Sequence, residues 1–365
     1  MSGTRMDTNL IPPDAQSDPH TDLRFDAQAD LQAGSQVDLP VDASQNSPLN
    51  SAAPAHGSPP QPLPEPSPRF KHLSRESALS PLTEIFLGPD GLYPGARWLI
   101  YLALAWLLLG LFTSLTNSLR PEPVPVWWTM VSELRMMLAV VLPGFAMARF
   151  EGRPFGSFGL PAKRAFRRNF WVGALWGFVS LSALMLALAA LRAFSVASLR
   201  LHGARIVKFG FYYAVFFLIA SIFEDFLTRG YSQWVLARGM HFWPAATLLS
   251  LLFGAMHLVN PGEAKVGIAA VVCIGFFFCL TLRRTGNLWW AVGFHMSWDW
   301  SESFLYSVPD SGGVAPGHLL KSSLHGPDWL TGGSVGPEGS CLLFLLIAVL
   351  WILFSLAYPN IQPGE

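Results

Sequence analysis

With 365 residues, 51% of them hydrophobic and 13% charged, including 14 Trp and 27 Phe, the chain is too apolar for an ordinary water-soluble domain. Its formal net charge of zero supplies none of the basic surface that counterion release requires, which argues against nucleic acid as a partner and leaves the lipid bilayer. Cys273, Cys279 and Cys341 lie in or at the edge of apolar runs and read as small packing residues, neither a disulfide framework nor a thiolate metal site.

In chain order, residues 1–92 come first, among them DASQNSPLNSAAPAHGSPPQPLPEPSPR. They hold too little apolar surface to offset the entropy of folding, and a disordered cytoplasmic tail is expected. No apolar core follows the basic start, so insertion by the first membrane helix is expected and a cleavable signal peptide is not.

Residues 93–360 read as a membrane domain. Taking about 20 apolar residues per crossing, spans are expected near 97–117, 126–148, 170–192, 209–237, 243–258, 264–282, 287–304 and 341–358. The fold class is therefore all-α, a polytopic membrane bundle of about eight transmembrane helices. The fourth span is too long for one crossing and is expected to project into the cytoplasm. Arg149, Arg153, Lys163, Arg164, Arg167 and Arg168 follow the second span, and the positive-inside rule puts that loop and both termini in the cytoplasm. Arg200, Arg205 and Lys208 fall in a loop this topology places outside, against the rule.

Three polar clusters interrupt the apolar helices. An ionised side chain near the bilayer centre costs roughly 2.5–3.5 kcal/mol even on the mildest scales, so each needs a partner or a task. In IASIFEDFLTRGYSQW, Asp225 and Arg229 are i and i+4 with the acid N-terminal, the favourable orientation for an ion pair. Glu224 points about 100° away and is left free as a candidate general base. In LLFGAMHLVNPGE, His257 ends an apolar helix one turn after Phe253, and Asn260, Pro261 and Gly262 read as the helix stop. A hairpin turning near Gly239 to Trp243 would bring Glu224 and His257 to matched depth. In AVGFHMSWDWSE, His295 and Asp299 are i and i+4 and project side by side, as a hydrogen-bonded clip or half of a metal site.

Lesser features have plainer readings. Glu133 and Arg135 are i and i+2, do not face each other, and are expected to be satisfied by neighbouring helices or the interface. Trp127, Trp128, Trp289 and Trp290 sit near span ends, as interfacial belt residues do. Pro337 and Glu338 suit the first turn of the last helix.

EDFLTR, FGAMH and HMSWD, in that order on polytopic helices, resemble the three motifs of the CAAX protease and bacteriocin-processing family of intramembrane proteases, Glu-Glu-x-x-x-Arg, Phe-x-x-x-His and His-x-x-x-Asn or Asp. The resemblance covers about 150–304, with a looser likeness in TGGSVGPEGS before the final helix at 341–358. It implies an intramembrane endopeptidase of CAAX type in a multi-pass membrane protein, expected in the cytoplasmic membrane of a bacterium, acting on a membrane protein or lipidated peptide. It also implies catalytic roles for Glu224, His257, His295 and Asp299, with Asp225 and Arg229 as structural support. Whether those four hold a divalent metal such as zinc or work without one is left open, and no other cofactor is expected. Asp225 departs from the usual second glutamate, which bears on activity more than on fold. A membrane scaffold of immunity type and an ion-coupled transporter are the alternatives from other classes.

Overall fold

The computed structural model describes residues 86–88, 91–259, 265–314 and 316–361. The expected tail lies outside them except at its end, where β1 (Leu87–Gly88) and β2 (Gly91–Leu92) pair antiparallel and lead into the first helix. The helix stop read at Asn260 to Gly262 also lies outside the described residues.

The apolar runs form helices where their length predicts. They are α1 (Pro94–Asn117), α2 (Trp127–Phe150), α3 (Arg168–Ala190), α4 (Ala204–Arg229), α5 (Tyr231–Met240), α6 (Phe242–Met256), α7 (Lys265–Thr285), α8 (Trp289–Trp300), α9 (Asp328–Thr331) and α10 (Cys341–Ala357). Six described segments are long and apolar enough to cross a membrane, α4 and α5 counting as one, and α10 is a shorter apolar helix. The chain is an all-α, multi-pass integral membrane protein. The long fourth span is two helices broken at Gly230, whose backbone leaves the helical region (φ −82°, ψ −116°). A Cβ there would lie 2.5 Å from both the ring and the carbonyl of Phe226. His241, with φ 67°, then turns the chain from α5 into α6 within the expected Gly239 to Trp243 connection.

Small residues let α3 and α8 approach backbone to backbone, as membrane helices do where no solvent drives their association. A Cβ on Gly173 would lie 2.0 Å from the carbonyl oxygen of Trp290, one on Gly177 2.2 Å from that of Phe294, and one on Gly293 2.1 Å from that of Phe170. Ser297 closes the seam by donating its Oγ hydrogen to the Ala174 carbonyl at 2.7 Å. On the other side of α8, Trp290 and Phe294 pack with Phe277, Phe278 and Phe354. Trp290 is therefore core and Trp289 is buried with Nε1 donating to Pro161, so this pair does not form the interfacial belt read from the sequence. Trp127, by contrast, is exposed.

Beyond Trp300 the helix widens into a π turn (Ser301–Tyr306). The segment that follows crosses back to pair β4 (Leu320–Leu324) antiparallel with β3 (Phe194–Leu199), the strand after α3. Pro337–Gly339 forms a separate 3-10 turn before α10, which is capped by Ser340 accepting from the Leu342 N–H. Glu338 thus stands outside the last helix and not in its first turn.

Candidate active site

At the C-terminal end of α4, Arg229 Nη1 lies 2.6 Å from Asp225 Oδ1, with both side chains almost wholly buried. Burial makes the surroundings decisive, because a buried charge must be paired and hydrogen-bonded. Arg229 Nε donates to the Gly275 carbonyl at 3.2 Å, and its guanidinium lies over Phe253 at 4.6 Å and Phe278 at 5.1 Å. The motif arginine is thus consumed in holding α4 against α6 and α7.

Glu224, one residue earlier, turns the other way, into a cavity of about 570 Å³ whose polar lining includes Glu133, Glu224, His257, His295, Asp299 and Glu338. His295 stands at its centre. Nε2 is 3.5 Å from Glu224 Oε2 and 3.6 Å from Asp299 Oδ2, while Nδ1 is 3.7 Å from Asp225 Oδ2. The imidazole therefore meets carboxylates from two helices, and α8 is held at the depth of α4. His257 opens the 3-10 turn (His257–Val259) after α6, its Nδ1 2.9 Å from the Phe253 carbonyl. A carbonyl can only accept, so Nδ1 carries the hydrogen and Nε2 of the neutral ring is an acceptor. All four residues expected to be catalytic therefore line one cavity, with Asp225 and Arg229 sealed behind it.

The metal set does not converge in the same way. Among the described residues, the groups whose ligand atoms all lie within 4.8 Å of one another are Asp299, Asp310 and Glu338. Glu224, His257 and His295 are not part of that group, so the mixed imidazole and carboxylate set of a zinc site is not assembled. Of the four expected ligands, Asp299 alone belongs to a set that fits an ion.

Three carboxylates were not singled out as functional from the sequence. Glu133, expected to be satisfied by neighbours, lines the cavity from α2; Arg135 does find a neighbour, donating to Thr116 Oγ1 at 2.9 Å. Asp310 follows the π turn and Glu338 precedes α10, and only the fold brings them to Asp299. The Asp310 carboxyl is pushed up to about 8, first by burial and then by the neighbouring charge of Glu338.

Residues 206–301 match the family model of the type II CAAX prenyl endopeptidases, described as Rce1-like. That segment contains all three motifs and every expected catalytic residue, whereas Asp310 and Glu338 lie beyond it. No curated protein and no solved structure matches the chain.

Proposed function

We propose that this chain, whose segment 206–301 is similar to the Rce1-like CAAX endopeptidases, hydrolyses a peptide bond in a membrane-anchored protein or peptide. The observation that carries the reading is the meeting of Glu224, His257 and His295 in one cavity among apolar helices. The protease core is assigned to about 150–304, within a membrane domain spanning 93–360. Both termini are assigned to the cytoplasm, on the strength of the arginine-rich loop after α2.

The chemistry follows from what each side chain can donate or accept. A water lying between Glu224 and His257 Nε2 meets two acceptors, which take its hydrogens and leave a lone pair directed at the scissile carbonyl. Glu224 takes the proton as the oxygen attacks, forming the C–O bond and a tetrahedral oxyanion. His295 Nε2–H is the donor placed to meet that oxyanion, and the proton held by Glu224 passes to the leaving amine as the C–N bond breaks. Asp299, an acceptor when ionised, lies 3.6 Å from His295 Nε2 and adds negative charge beside it without touching the oxyanion, while Nδ1 on the far side of the ring faces Asp225. No step is routed through a metal, because the four residues do not assemble one ligand set.

The direct test is cleavage of quenched fluorescent peptides, with and without a prenylated C-terminal cysteine, by the full chain in lipid nanodiscs. Turnover lost in Glu224→Gln supports the reading, and equal turnover by the two proteins rejects the assigned base. Complementation of a deletion strain by Glu224→Gln would point to a scaffold, and liposome ion flux abolished by that change to a transporter.

A further inference from the structure

The proposed hydrolysis leaves one group of carboxylates without a task. Asp299 on α8, Asp310 after the π turn and Glu338 in the turn before α10 each present an oxygen, and the three oxygens lie within 4.8 Å of one another. Two of them are held in place by donors. Ser303 Oγ donates to Asp310 Oδ2 at 2.8 Å, and Ser311 donates to Glu338 Oε2 from its N–H at 3.2 Å and its Oγ at 2.9 Å. Gly336, with φ 104°, lets the two loops touch, since a Cβ there would lie 2.0 Å from the Pro309 carbonyl oxygen.

A fourth carboxyl group adds to those gathered there. Glu302 has 0% exposure, and neither of its oxygens has a partner at hydrogen-bond geometry, although the Trp298 side chain lies close enough to favour its charge. It faces the same loops: the Cβ built on Gly336 would lie 3.3 Å from Glu302 Oε1, and the charges of Glu338, Asp310 and Asp299 all bear on it. His295, 3.6 Å from Asp299, is one ionisable imidazole against four carboxyl groups. Buried carboxyl groups gathered in this way either hold protons or stay charged around a positive ion brought among them.

We propose that Asp299, Asp310 and Glu338, backed by Glu302, bind one hard divalent cation of the Mg²⁺, Mn²⁺ or Ca²⁺ class, distinct from a histidine-ligated zinc. The donors are all carboxylate oxygens, which suit those ions, whereas typical zinc sites in proteins include imidazole or thiolate even where a carboxylate takes part. The spacing agrees: with metal–oxygen distances of about 2.1–2.4 Å, oxygens on opposite sides of one ion lie roughly 4.2–4.8 Å apart. The ion would tie the end of α8 to the turn before α10 and draw charge from Asp299, steadying His295 on its Glu224 side. The site stands independently of the proposed hydrolysis, because three of its four carboxylates play no part in that reaction.

The test uses the full chain in detergent, stripped with chelator, and reads binding directly. Mn²⁺ and Ca²⁺ are titrated calorimetrically, and Tb³⁺ is followed by luminescence excited through tryptophan, Trp298 lining the same cavity. One saturable site per chain is expected, weakened on the order of 100-fold in Asp310→Asn/Glu338→Gln, as loss of ligands and of their charge predicts. His257→Ala should bind as the parent does. The single variant Asp310→Asn, compared with the parent by melting temperature with and without Ca²⁺, keeps the test decisive should the double variant fail to fold. Absence of saturable binding by the parent overturns the proposal. So does an affinity or Ca²⁺-dependent melting shift unchanged in Asp310→Asn, or binding lost in His257→Ala.

Discussion

His295 Nε2 lies 3.5 Å from Glu224 Oε2, so the histidine of α8 and the glutamate of α4 face each other across the cavity. If Nε2–H meets the oxyanion, its contribution exists in the transition state and not in the bound substrate. His295→Ala should lower kcat by about 10²–10³-fold with KM nearly unchanged, the loss associated with removing one oxyanion donor. Steady-state kinetics on a fluorescent peptide checks the split. A rise in KM at constant kcat would make His295 a substrate-binding residue.

The Asp225–Arg229 pair is expected to act on the fold. Its side chains are buried and 2.6 Å apart, and removing one partner leaves an uncompensated charge between Phe253 and Phe278. Asp225→Asn should destabilise by about 3–5 kcal/mol, read as a shift in unfolding in detergent. Asp225→Glu, which installs the second glutamate of the motif that EDFLTR resembles, adds a methylene to a packed site and should cost about 1–3 kcal/mol. A protein with unchanged stability after Asp225→Asn would remove the structural role from this pair.

Much of this arrangement was legible in the sequence because it is local. The i and i+4 spacings of Asp225 with Arg229 and of His295 with Asp299 fix side-chain proximity on any helix, and both pairs are met. Six of the eight apolar runs expected to cross are met by segments of spanning length, since that length is set by the bilayer, whereas the runs at 287–304 and 341–358 form the shorter α8 and α10. What was not legible depends on contacts distant in the chain. Trp290 looks like a belt residue until α3 and α7 enclose it. Asp310 and Glu338 sit in loops whose composition signals turns, and only the strand pairing that returns the chain beside α3 brings them near Asp299. The break at Gly230 was hidden because a single glycine in an apolar run does not by itself end a helix.

The α3–α8 seam carries a mechanical prediction. Gly293 is two residues before His295, and a Cβ there would lie 2.1 Å from the Phe170 carbonyl, a backbone atom that cannot swing aside. Gly293→Val should push α8 from α3, cost about 1–3 kcal/mol or more from overpacking, and displace His295 from Glu224. The measurement is unfolding together with peptide turnover, and turnover should fall further than the loss of folded protein accounts for. Parent-like values for both would mean that the two helices are not in contact at this seam.

With cations removed by chelator, the acidic loop cluster should make the protein sensitive to alkaline pH. The Asp310 carboxyl is raised from 3.8 to about 8 in the folded chain, so folding favours its protonated form. That contribution is fully present below the unfolded value and is lost as pH rises through the folded one. The melting temperature of chelated protein should therefore fall between about pH 4 and about pH 8, whereas Asp310→Asn, with nothing to titrate at that position, should show a shallower fall. Added Ca²⁺ should recover stability mainly at the alkaline end, where the carboxylates it would bind are ionised and repel one another. A parent and an Asp310→Asn variant with superimposable pH profiles would show that Asp310 is not the group under strain, and the repulsion would then have to be borne by Glu302 or Glu338.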